Sequence, residues 1–179
     1  MSDIGFMICA AVYFLFLHCQ LSINMISHIT IRVYGILINE AKQVLVSDEY
    51  IRGDYFTKFP GGGLELGEGT RDCLKREFKE ELNLDVEVGD HIYTTDFFQV
   101  SGFNNTHQIL SIYYFAKALA PITVPIRTKP FDFDAQQLKV YDEIQQTETV
   151  RFIDWQDFSE ETVTLPIDKV VAKMIKEKY

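Results

Sequence analysis

Cysteine is scarce in this 179-residue chain, and the three present, Cys9, Cys19 and Cys73, share no redox or metal-ligand spacing. That excludes a disulfide scaffold and a zinc module, and it fits a reducing, cytoplasmic compartment. Positive charge is scarce as well. With 17 Lys and Arg against 26 Asp and Glu the formal net charge is −9, so no basic footprint exists for long DNA or RNA. Small anionic partners stay open, because a bound metal ion can supply local positive charge. There are no internal repeats and no low-complexity segments.

A full-length membrane span is also lacking. No Lys, Arg, Asp or Glu lies between Asp3 and Arg32, and Ile4 to Leu17 is almost wholly apolar. As a helix those residues would cover about 21 Å, short of the roughly 30 Å hydrocarbon core. Residues 1–27 are therefore set apart from residues 28–179. Four readings of this segment are open: a membrane anchor through residues 4–26, a signal-like segment, an element packed on the domain or a partner subunit, or an upstream start ahead of Met25. Its length ranks the packed and early-start readings above the anchor, and neither a positive n-region nor a small-residue cleavage site marks a signal peptide.

What is there is a composition of 47% hydrophobic and 24% charged residues, that of a globular domain with a core of its own. Residues 29–37 and Gln43 to Val46 predict a β-hairpin, followed by a polar loop over Ser47–Asp54. Phe56 to Phe59 leads into Gly61-Gly62-Gly63, where a strand ends in a flexible glycine loop that can approach a ligand closely. Strands are predicted at Asp85–Val88, His91–Val100, His107–Leu119 and Thr147–Trp155. Pro121, Pro125 and Pro130 mark residues 121–142 as an extended loop or insertion. Beyond Pro166, Ile167, Val170, Val171, Met174 and Ile175 recur at helical spacing, the pattern of a packing helix.

The chemistry concentrates in residues 62–84, GGLELGEGTRDCLKREFKEELNL. A helix is expected from an N-cap at Thr70, with Leu74, Phe78 and Leu82 as its buried stripe. Asn83 is suited to a left-handed cap, and Leu84 to folding back on the last turn. Glu77, Glu80 and Glu81 stand at i, i+3 and i+4, so their carboxylates share a face within about one turn. Taken alone, such a run is an ordinary solvated face. Beside a glycine loop, gathered carboxylate oxygens also suit a hard divalent cation, Mg²⁺ or Mn²⁺ rather than zinc.

The spacing of Gly62, Glu68, Arg76, Glu77, Phe78, Glu80, Glu81 and Leu84 resembles the signature of the Nudix hydrolases, G-x5-E-x7-R-E-U-x-E-E-x-G-U. Asn83 replaces the usual glycine. The resemblance implies an α+β fold, an α/β/α sandwich with a mixed β-sheet between the motif helix and the C-terminal helix. It implies hydrolysis of a nucleoside diphosphate linked to another group. Glu77, Glu80 and Glu81 would hold Mg²⁺, which Mn²⁺ can replace, with the Gly61 carbonyl as a backbone ligand and Glu68 assisting. Arg76 would orient the glutamates, and Glu77 or Glu80 would serve as general base. Gly62 and Gly63 would border the substrate.

Family members often recruit one more acidic residue from a later loop, and Glu143 and Glu148 are the candidates. Phe97, Phe98, His107, Tyr113 and Tyr114 are candidates for a nucleobase pocket, of which Phe97 and His107 are carried as substrate-binding residues. A proline that marks the ADP-ribose hydrolases is absent, Gln99 and Val100 standing in its place. The expected partner is a small nucleotide: a nucleoside triphosphate first, then ADP-ribose, nucleotide sugars or dinucleoside polyphosphates. A non-catalytic nucleotide sensor is a third alternative, and a homodimer is compatible with each.

Overall fold

The computed structural model describes residues 25–178, so the anchor, signal-like, packed-element and upstream-start readings of the N-terminal segment fall on residues outside the described part. Eight strands and three α-helices follow in the order β1 (His28–Leu37), β2 (Gln43–Ile51), β3 (Asp54–Lys58), β4 (Gly61–Gly63), α1 (Thr70–Leu82), β5 (Val86–Thr94), β6 (His107–Ala118), β7 (Ile126–Arg127), α2 (Ala135–Ile144), β8 (Gln146–Asp154) and α3 (Pro166–Lys178). Among the described residues no helix is long and apolar enough to cross a membrane.

The strands divide into two mixed sheets, with orders β4-β1-β6-β5 and β3-β2-β8-β7. β1 and β6 run parallel over their whole length, from His28 beside His107 to Leu37 beside Ala116. The second half of β1, from Val33 to Leu37, is buried on both faces, as its apolar run requires. Tyr34, Ile36, Val44, Val46 and Tyr113 pack with Ile167, Val171 and Ile175 of α3. Val33, Leu37, Leu45 and Ala116 point the other way, onto Leu74, Phe78 and Leu82 of α1. Helices therefore cover both sides of the strand layer, which is the α/β/α sandwich expected.

Several local expectations are corrected. Residues 47–51, taken as loop because they are polar, complete β2. Ser47, Asp48 and Glu49 are buried because each finds a partner: Ser47 and Glu148, Asp48 and Arg151, Glu49 and Lys58. Arg52 and Gly53, both at positive φ, make the two-residue turn into β3. The two strands expected between 85 and 100 are one strand with register shifts, β5. Residues 121–142 are not a plain loop: they hold β7 and α2.

Helix α1 starts one residue early, from Gly69 as N-cap without a side-chain hydrogen bond. Thr70 is its first helical residue, and its hydroxyl pairs with the Tyr114 hydroxyl at 2.8 Å. The far end is as expected. Asn83 is left-handed at φ 47°, and the Leu84 amide donates to the Phe78 carbonyl at 3.1 Å.

Candidate active site

The buried stripe of α1 decides where its glutamates go. With Leu74, Phe78 and Leu82 against the sheets, Glu77 is drawn inward to 9% exposure, whereas the Glu80 side chain remains 60% exposed. Arg76 gathers the pieces. Its Nη1 donates to Glu77 Oε1 at 2.9 Å and Glu80 Oε2 at 3.1 Å. Its Nη2 donates to Glu68 Oε1 at 2.7 Å and to the Gly63 carbonyl at 3.0 Å, and its Nε to Glu68 Oε2 at 3.1 Å. This fork-to-carboxylate geometry is the strong, directional form of ion pair. Bonds from Arg76 and from the Glu65 amide hold the Glu68 carboxyl down at a pKa of about 2. Cys73 donates its thiol to Gly63 O, and burial followed by Glu68 pushes its pKa up to about 12, so it is no nucleophile.

The glycine loop is a short strand rather than a flexible turn. Gly61 and Gly62 pair antiparallel with Tyr34 and Val33. Gly61 lies at φ 132°, and a Cβ there would stand 2.2 Å from the Val33 carbonyl oxygen. At Gly62 a Cβ would stand 2.4 Å from the Glu77 carboxylate. Gly61 thus lets β4 close on β1, and Gly62 lets α1 press its carboxylate onto the β4 backbone.

A second group lies directly behind. Lys58, 2% exposed, pairs with Glu49 Oε1 at 3.0 Å and stands 3.9 Å from Glu81 Oε1. Glu148 is the register partner of Glu49 across β2 and β8, and its Oε2 accepts from Ser47 at 3.1 Å. Burial raises the Glu81 pKa to about 8, with Glu148, Glu77 and Glu49 adding to the rise and Lys58 opposing it. Glu148 is raised in the same way, by burial first. Burial thus favours the neutral form of both carboxyls, whereas a cation entering the group would favour the ionised form.

Among the described residues no three His, Cys, Asp or Glu side chains already converge as in a loaded metal site. The donor chemistry nevertheless fits a hard divalent cation. Glu49, Glu77, Glu81, Glu148 and the Gly61 carbonyl offer oxygen only, and an ammonium already stands among them.

A cavity of about 480 Å³ opens from this group between the sheets. Alternate residues of β1 and β6 line it, Arg32 and Tyr34 from one, His107 and Tyr113 from the other, with Glu49 and Lys58 at one end. Asp168, the second residue after Pro166, is wholly buried in its wall. Its Oδ1 accepts from Tyr113 at 2.6 Å and its Oδ2 has no hydrogen-bond partner. A more open cavity of about 600 Å³, around Arg151, Asp154 and Glu161, touches none of the glutamates just described.

The NUDIX domain family model matches residues 28–173. The chain belongs to the Nudix family. Nudix hydrolase 2 of Arabidopsis thaliana is 30% identical over 129 residues, covering 65% of this chain and 43% of that protein, so the chain spans less than half of that relative's length. The E. coli ORF135 protein superposes with a TM-score of 0.59 at 13% identity, over 84% of this chain and 90% of that one. An ADP-ribose pyrophosphatase from Streptococcus suis does so with 0.50 at 14% identity, over 84% and 92%. Identities this low speak for the fold alone.

Within this Nudix frame, Gly63, Glu68, Glu77 and Glu80 are brought together by the Arg76 guanidinium, with Gly62 against Glu77; Gly61 and Glu81 join through Lys58, and Glu148 stands beside Glu49. His107 reaches the cavity, its Nδ1 bonded to Thr30 and its ring stacked on His28. Phe97, 40% exposed, is not among the lining residues. The chain leaves β5 before reaching it, so no strand aims it inward. Glu143 lies exposed on α2, outside these ion pairs. Sequence reasoning missed Glu49, Lys58, Arg32 and Asp168. The available signal was a lysine directly before Phe59-Pro60-Gly61, a charge at the end of a strand that must be buried.

Proposed function

We propose that the protein is a divalent-metal-dependent pyrophosphohydrolase that cleaves a diphosphate linkage in a small nucleotide, a nucleoside triphosphate first among them. The observation that carries this is continuity: Glu49 and Lys58 belong both to the glutamate group and to the wall of the 480 Å³ cavity. A nucleoside held in the cavity would present its phosphate chain to the glutamates. The volume suits a small ligand. Tyr34 and Tyr113 supply aromatic surface, and Asp168 Oδ2 would meet an N–H donor of the base.

Glu49, Glu77, Glu81, Glu148 and the Gly61 carbonyl would hold the divalent ion, which when bound would supply positive charge to the phosphate oxygens and make a nearby water more acidic. The chain's own residues do the rest. Arg76 fixes Glu68, Glu77 and Glu80 relative to the β4 backbone, which removes the cost of ordering them during reaction. Glu80, the most solvent-accessible of the motif glutamates, accepts the proton of the water as its oxygen attacks phosphorus and the bridging P–O bond breaks. For a nucleoside triphosphate the products are a nucleoside monophosphate and pyrophosphate.

The test is a release assay over triphosphates, ADP-ribose, nucleotide sugars and dinucleoside polyphosphates with Mg²⁺. Selective turnover is expected, reduced by about 10²-fold or more in Glu80→Gln, as general-base loss entails, at an unchanged melting temperature. A folded, Mg²⁺-binding protein without turnover on any of them would instead be a nucleotide sensor.

A further inference from the structure

Lys58 is the last residue of β3, and its side chain turns back into the glutamate group rather than out to solvent. Its Nζ donates to the Gly61 carbonyl oxygen at 2.8 Å, pairs with Glu49 Oε1 at 3.0 Å and lies 3.9 Å from Glu81 Oε1. The face of the Tyr34 ring closes a further side at 5.8 Å. An ammonium carries three protons and no acceptor, and here two oxygens stand within 3.0 Å of it, with a third, from Glu81, at ion-pair distance. With the side chain 2% exposed, the ammonium faces these oxygens and not the solvent.

The oxygens around Lys58 are a backbone carbonyl and two carboxylates, the donor types that a hard cation takes. All three, from Gly61, Glu49 and Glu81, belong to the oxygen donor set that fits a divalent ion. We propose that Lys58 is a built-in counter-cation of the glutamate group: it fills one cation position, so that the centre is ordered before metal arrives and binds divalent ions less tightly, and in smaller number, than its carboxylates alone would. The proposal rests on the pyrophosphohydrolase reading, since it presumes that these glutamates take metal.

A merely structural lysine and a counter-cation make opposite predictions for its removal. If Lys58 only held β3 in place, its loss would disorder the glutamates and weaken metal binding. If it fills a cation position, its loss frees Gly61 O and Glu81 and uncovers buried negative charge, so metal binding tightens. The experiment is Mn²⁺ titration of the wild type, Lys58→Met and Lys58→Arg, followed by the electron paramagnetic resonance of free Mn²⁺ and by melting temperature, without substrate.

Lys58→Met is expected to bind its first Mn²⁺ on the order of tenfold more tightly or better, as removal of a buried positive charge near a divalent ion entails, and to take up an added equivalent at saturation. Its melting temperature without metal falls, and Mn²⁺ raises it by more than in the wild type. Lys58→Arg, which keeps the charge, shows neither gain. Equal or weaker Mn²⁺ binding in Lys58→Met overturns the proposal, as does a variant that stays unfolded in excess Mn²⁺, because the ammonium is then not replaceable by a cation. A wild type that binds no Mn²⁺ at millimolar concentration overturns the pyrophosphohydrolase reading as well. A wild type that binds Mn²⁺ and turns over substrate, beside a Lys58→Met protein that binds it no better, removes only the counter-cation role.

Discussion

A single methyl group added at Gly62 would stand 2.4 Å from the Glu77 carboxylate, and Glu77 is tied to Arg76, which also holds Glu68 and Glu80. The carboxylate can yield only by pulling on that shared guanidinium. Gly62→Ala is therefore expected to lower kcat by about 10²-fold, the usual effect of misplacing a catalytic group by about 1 Å. The hydrophobic contacts of α1 are left alone, so the circular dichroism spectrum stays that of the wild type. Near-normal turnover in Gly62→Ala would show that the proposed activity does not depend on the pose of Glu77. Most of the chemistry at this scale was legible in the one-dimensional spacing, because a helix converts intervals of three and four into neighbours. Glu49 and Lys58 were not, because a strand places them by pairing with distant residues rather than by interval.

Among the elements, α1 and α2 contrast in how they are held. α1 buries Leu74, Phe78 and Leu82, so its helical period was plain in the sequence. α2 buries no residue, and what marks it is local: Asp134 accepts from the Gln136 and Gln137 amides, and the Gln137 side chain returns to the Asp134 amide in a capping box. Three prolines upstream obscured that signal. The helix is attached instead through Tyr141, whose ring stacks on Tyr50 at 3.7 Å and whose hydroxyl accepts from the Gly53 amide at 2.9 Å, and through Gln137, which donates to the Glu148 carbonyl at 2.7 Å. Tyr141→Ala is expected to cost on the order of 1–2 kcal/mol locally, as loss of a stacked aromatic pair and a hydrogen bond implies. Amide exchange should speed up across residues 135–144 while α1 keeps its protection. Uniform acceleration across both helices would mean that α2 opens only with the whole domain.

At the scale of the molecule, Asp168 couples folding to pH. It is wholly buried beside Tyr113, and burial above all raises its pKa to about 7, against the pull of Tyr113, Lys58, the Phe59 backbone and Arg32. An unfolded chain gives up this proton near pH 4, at the ordinary carboxyl value. Between there and about pH 7 the folded protein holds a proton that the unfolded chain has released, so this group's contribution to stability falls as pH rises through that window. Asp168→Asn keeps the shape and removes the titration. The variant should gain on the wild type by a few kcal/mol in unfolding free energy between pH 4 and pH 8, read from urea midpoints. Parallel profiles for the two proteins would show that Asp168 is not held protonated by the fold.

The sequence by itself determined the motif helix, its left-handed end at Asn83, the C-terminal packing helix and the family, because these rest on short-range periodicity and on intervals within one element. The tertiary structure alone decided that β2 carries polar side chains inward, that Lys58 stands among Glu49, Glu81 and Glu148, and that Asp168 closes a cavity against β6. In each case residues far apart in the chain meet, and a buried charge becomes tolerable only when its partner arrives from another element.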